Sequence, residues 1–306
     1  MSLYFWHVFT YATMLIFLIV LICRIMAISR LPLHLRWELA PIPHEKGKNH
    51  YGGSYFEDFE WWTRKQAKST IAPVVYMLKE IFGLRGVWKH NRTLWPLSFA
   101  LHAGLYLGML AILLYILNTI LMLAAAGTSI IGIFLTVASA CSLTAFVLGI
   151  AGSLGLILRR ALDADLREFS SPGAYFNLVL LMLVFASGLL AWLTASEFAS
   201  AQSRFVLSIL MLQGGISPSL PMAVHIVLTL LFILYLPFTG MLHFAAKYFM
   251  YHKVRWNDAP LDGRMQEKLQ GLASQPITWS APHVKADGSR SWKAVTTEDT
   301  TLEEKA

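Results

Sequence analysis

The sequence predicts an all-α integral membrane protein built as a bundle of five transmembrane helices. Three observations predict it. The chain of 306 residues is 56% hydrophobic, with a mean hydropathy of +0.54, a composition that suits hydrocarbon rather than water. It contains five apolar runs, each long enough for the about 20 residues that cross a bilayer core. Its Lys and Arg residues gather in three of the polar segments that bound those runs, the asymmetry expected of loops on the cytoplasmic side.

Taken in order, the first helix is expected at about residues 4–28. It lacks Lys or Arg ahead of its apolar stretch, and Arg24 comes only after it. A signal peptide has the reverse order, so this run reads as an uncleaved helix. A polar region, 29–92, follows and is too long for a simple connector. Within it Ile71, Val75, Leu78 and Phe82, alongside Lys79 and Lys89, predict an amphipathic helix over 71–89 on the inner surface. Helix two is expected at 94–125 and helix three at 129–158, joined by the turn Ala126-Gly127-Thr128. Helix three ends at Arg159-Arg160, and the charged loop 161–169 leads to helix four at 172–195. The mildly polar segment 196–217 suits a short interfacial helix at 201–212. Helix five spans 218–247, and a polar cytoplasmic tail runs on to Ala306. The membrane domain is thus expected to cover 1–255 and the tail 256–306.

Orientation follows from the basic residues. The 29–92 region, the 159–167 loop and the 248–306 tail hold nearly all of them, and the turn at 126–128 holds none. Five helices place all three basic segments in the cytoplasm, with the amino terminus outside and the carboxyl terminus inside the cytoplasmic membrane. The net charge of +7 therefore reflects membrane orientation and gives no reason to expect nucleic acid.

The two cysteines, Cys23 and Cys141, form no CxxC, so no iron–sulfur cluster is expected within this chain. No CxxCH occurs either, so any haem would be b-type, held without thioether bonds. The loop histidines His44 and His50 lack a third ligand at suitable spacing and read as solvated side chains.

The chemistry-bearing signal is the histidine pattern. His225 and His243 stand 18 residues apart in helix five, five whole turns of a continuous helix at about 3.6 residues per turn. They would share one face, about 27 Å apart along the axis, with one near each membrane surface. Ionisable side chains inside a bilayer are costly and point to function, and axial ligation of two haems stacked across the membrane is the use this spacing suits. His102, about two turns into helix two, lies at the depth of His243, so the two form a bis-imidazole pair for an inner haem. Gly104 and Gly108 leave room for a macrocycle or for helix packing. The outer haem has His225 as one ligand. For the second, His7 at the start of helix one has matching depth, Met109 offers a thioether, and Tyr106 also lies on helix two. A single-histidine outer site, or no outer haem, stays open.

With these residues the chain resembles the membrane cytochrome b (gamma) subunit family of respiratory nitrate reductase. It is closest to the membrane cytochromes of dissimilatory sulfite-reduction and heterodisulfide-reductase-type complexes. The resemblance covers about residues 1–255 and includes Phe-Ala-Leu-His102-Ala-Gly and the His225/His243 spacing. Trp37-Glu-Leu-Ala-Pro-Ile-Pro-His44 and Gly52-Gly-Ser-Tyr-Phe-Glu57 carry the likeness to the sulfite-reduction branch. The nitrate-type pattern has a second histidine ten residues after the first, and here that position is Ile112.

The resemblance implies a dihaem cytochrome b subunit that passes electrons between membrane quinone, menaquinone or another, and a cytoplasmic iron–sulfur partner of the heterodisulfide-reductase-like type. Within the 196–217 segment it makes Glu197 a candidate proton acceptor. The alternative is a membrane anchor or assembly subunit with one haem or none. A transporter would need broken helices or paired polar groups at mid-membrane, where only Asn118, Asn177 and scattered hydroxyls occur.

Overall fold

A computed structural model describes residues 4–31, 48–51, 54–61, 69–125, 127–213, 217–253, 263–279 and 288–297. The segments around His44, Gly52-Gly53 and the carboxyl-terminal tip lie outside the described residues, as does the side chain of His50. The chain divides into two compact units, Met1–Trp256 and Asn257–Ala306.

Among the described residues the first unit is helical throughout. Among the described residues five helical spans are long and apolar enough to cross a membrane: α1 (Phe5–Ser29), α4 (Trp95–Leu123), α5 (Thr128–Leu162), α7 (Pro172–Thr194) and Leu220–Phe238, which is α9 (Leu220–Tyr235) with the turn that follows it. Their ends are set by local chemistry. Ser171 accepts the Ala174 amide and Pro172 opens α7, where a missing N–H costs nothing. Between α5 and α7, Asp163 caps α6 (Ala164–Glu168) by accepting the Leu166 amide.

Shorter helices pack on both ends of this bundle. At the basic end, α2 (Ile71–Gly83) and α3 (Arg85–His90) meet at Leu84, whose φ of 47° turns the chain sharply. The pair is held to α4 by two hydrogen bonds: Trp95 Nε1–H donates to Gly83 O at 2.8 Å, and Tyr106 OH donates to Ile81 O at 2.9 Å. Ile71, Val74, Val75, Leu78 and Phe82 leave an exposed apolar stripe on α2, the amphipathic pattern read from the sequence. Earlier in the same loop, Glu57 accepts the Ser54 amide and the Tyr51 hydroxyl. Those bonds, the backbone one first, hold its carboxyl below the ordinary carboxylate range.

At the opposite end lies α8 (Phe198–Met211), close to the expected interfacial helix. It is tied to α4 through Asn118 Nδ2–H, which donates to Ser203 Oγ at 3.1 Å. On its other side α1 supplies donors to its last carbonyls. His7 Nε2–H reaches Ser208 O at 3.1 Å, and Tyr11 OH reaches Ile209 O at 2.7 Å. Ser208 O also accepts the Gln213 amide at 3.0 Å and Ile209 O the Leu212 amide at 3.4 Å, so α1 adds a side-chain donor to each carbonyl at the end of α8.

The tightest seam joins α4 to α5. A Cβ on Gly104 would lie 2.8 Å from Gly149 N and 2.9 Å from Ala145 O, both backbone atoms. Small residues here bring two backbones into contact, the way helices associate where water cannot drive them together. Gly104 and Gly108 both face α5, so the room they leave is taken by helix packing.

Helix five differs from the expected continuous span of 218–247. α9 ends at Tyr235 and is followed by single turns at Leu236–Phe238 and Gly240–Leu242, then α10 (His243–Lys247) and a π-helical turn, Tyr248–Lys253. Pro237 has no N–H to continue the ladder. Thr239 is extended (φ −117°, ψ 173°), and its hydroxyl accepts the Met241 amide to start the next turn. The five-turn argument placing His225 and His243 on one face therefore does not hold, because the intervening backbone is not one helix.

The second unit contains α11 (Gly263–Ala273) and α12 (Trp292–Thr296). A short antiparallel bridge joins Pro276 to Ser291, with Trp279 and Trp292 edge to face at 6.0 Å.

Candidate functional site

The break in helix five sets the geometry at the basic end. His243 opens α10, and its ring meets that of His102 from α4 with centroids 6.2 Å apart and planes at 68°. Each ring is oriented by its own backbone. His102 Nδ1 lies 2.7 Å from Ser98 O, and His243 Nδ1 lies 3.2 Å from Gly240 O. A carbonyl accepts only, so each Nδ1 carries the hydrogen and each Nε2 keeps its lone pair. Metal-binding histidines are held this way, with the second ring nitrogen donating to a carbonyl or carboxylate.

The spacing agrees with that use. Two metal–nitrogen bonds of about 2 Å each, plus the ring radii, put the centroids of two axial imidazoles about 6 Å apart. Among the described residues no group of three or more His, Cys, Asp or Glu side chains converges, but a haem asks its protein for only one or two axial ligands. The residues at this end therefore fit a b-type haem.

The surroundings complete the site. Tyr106 lies one turn beyond His102, its ring centroid 6.3 Å away, and Phe82 of α2 packs on Tyr106 at 5.5 Å. Glu80, buried to 8% exposure, accepts the Gly86 amide and pairs with Lys247 at 2.9 Å. Sequence reasoning missed the Glu80–Lys247 pair. Lys247 four residues after His243 was a visible signal, but 167 residues separate it from its partner.

At the α8 end the histidines face different neighbours. His225 Nδ1 lies 3.3 Å from Ser187 Oγ, and Ser187 donates its own hydrogen to Val184 O. Its ring meets Phe146 edge to face at 5.4 Å and fills the space left by Gly188. His7 points instead to Ser208 on α8, with its Nδ1 buried and without a hydrogen-bond partner among the described residues. His7 and His225 share no ring contact among the described residues, so the structure brings one of the two expected pairs together. The other expected partners also face elsewhere. Met109 is 62% exposed and the Tyr106 hydroxyl is spent on Ile81, while Ile112, ten residues after His102, is an exposed apolar side chain. Glu197 sits on the surface in a loose pair with Arg204 at 3.8 Å.

No family model, curated protein or solved structure matches the chain. The geometry of its own residues carries the functional argument.

Proposed function

We propose that this chain is a cytochrome-b-type membrane subunit that carries electrons between membrane quinone or quinol and an iron–sulfur partner on the cytoplasmic side. The observation that supports it most is the His102/His243 pair, each ring with its Nδ1 tied to a backbone carbonyl, which leaves the lone pair on Nε2. Haem b would supply one-electron chemistry there. The chain's own residues do the rest. His102 and His243 would ligate, Ser98 O and Gly240 O hold their tautomers, and Tyr106 and Phe82 wall off one edge. The exposed apolar stripe of α2 suits the inner leaflet, and the basic loops beside it suit a docked acidic partner. His225 is the residue proposed for a second haem at the outer end, with His7 as the expected partner.

The alternative, a membrane anchor with one haem or none, draws on the packing roles of His225 and His7 described above. A reduced-minus-oxidised visible spectrum of the purified chain distinguishes the two. His102→Ala and His243→Ala are each expected to remove the same spectral component, because a two-histidine site loses one of its protein bonds either way. Loss of different components, or of none, overturns the pairing.

A further inference from the structure

The haem proposed for His102 and His243 carries two carboxylates on one edge of its ring, and a carboxylate at the margin of a bilayer is costly unless it is paired. The fold already holds a cation beside this site. His243 and Lys247 are the first and last residues of α10, so their side chains lie one above the other on a single helix face. The Lys247 ammonium is already in contact with a carboxylate, since Glu80 Oε1 stands 2.9 Å from its Nζ. Glu80 is itself nearly buried and also accepts the Gly86 amide at the bend between α2 and α3.

We propose that Lys247 is a cofactor-binding residue, which takes a porphyrin carboxylate at the His102/His243 site in place of, or shared with, Glu80. This inference rests on the haem reading of that pair. Lys247 then selects an anionic macrocycle over a neutral one, and Glu80 acts as its internal competitor and holds the ammonium in place when no macrocycle is present.

The test uses the full-length chain, produced without haem in lipid nanodiscs and titrated with haem b or with its dimethyl ester, whose carboxylates are blocked. Soret absorbance reads the affinity of each. The wild-type chain is expected to hold the free acid about tenfold more tightly than the ester, the size of one charge-assisted pair. Lys247→Gln should abolish that preference and Lys247→Arg should keep it. Glu80→Gln removes the competitor and should widen it. Equal affinity of the wild type for both porphyrins, or a preference that survives Lys247→Gln, overturns the assignment. Should Lys247→Gln fail to fold, the wild-type comparison and Glu80→Gln still decide the matter. A different failure would mark the haem reading itself: neither porphyrin gives a two-histidine spectrum in the wild type, and the inference about Lys247 falls with it.

Discussion

Gly104 shows how little freedom single residues have in this bundle. Its hydrogen stands where a methyl group would press on the backbone of α5, at 2.8 Å from Gly149 N. Backbone cannot rotate aside as a flexible side chain can. Gly104→Ala is therefore expected to cost about 1–3 kcal/mol by forcing α4 and α5 apart, read as a lower midpoint of thermal unfolding in detergent. Gly108→Ala is the internal control, because its Cβ would meet only the Ala145 methyl at 3.9 Å, an ordinary contact. Equal losses from the two substitutions would show that the α4–α5 seam is not as close as described. Gly188 is tight against side chains instead, since a Cβ there would press on Phe146 and meet His225 at 2.8 Å.

At the scale of elements, α8 depends on helices far from it in sequence. Its carboxyl-terminal carbonyls at Ser208 and Ile209 receive hydrogens from His7 and Tyr11, two residues of α1 one turn apart. His7→Leu combined with Tyr11→Phe is expected to remove both, at about 0.5–1.5 kcal/mol per hydrogen bond. Amide exchange over residues 205–213 should then quicken while exchange in α5 stays slow. The same variant bears on the outer site: a change in haem content or spin state would make His7 a ligand, and faster exchange alone would make it a cap. The break after α9 is a second element-scale feature. Pro237 ends the ladder, and the Thr239 hydroxyl starts the next turn, which lets α10 present His243 to α4 independently of where α9 faces.

Across the whole molecule, the helices alternate so that α2, α3, the α5–α7 loop and the segment after α10 all gather at one end, with α8 at the other. In the sequence nearly all the Lys and Arg residues fall in the segments that adjoin the first of these ends or in the second unit, and Arg204 of α8 is an exception. That distribution favours a cytoplasmic location for the first end. A reporter active only in the cytoplasm, fused after Ala306, is expected to give signal, and the same reporter inserted at Gly127 is expected to stay silent. The reverse pattern would invert the depths assigned to every histidine and place the His102/His243 pair at the outer surface.

What the sequence determined by itself is the set of five apolar spans. A bilayer requires every spanning backbone to satisfy its own hydrogen bonds, so apolar length alone marks a helix. Counting residues along the spans matched His102 with His243, whose rings do meet, and equally matched His7 with His225, which face different neighbours. Tertiary structure decided the rotation of each helix about its axis and the place where helix five stops. These helices are apolar on nearly every side, so no polar stripe announces which face turns inward. Contacts settle it instead: Ser208 and Ile209 draw His7 and Tyr11 toward α8, and the backbone of Gly149 draws Gly104 toward α5. Pro237 was legible in the sequence, but neighbouring groups often repair a proline within a membrane helix. Here the freed chain is taken up by Thr239 and Gly240, and the ring of His243 is thereby brought to that of His102.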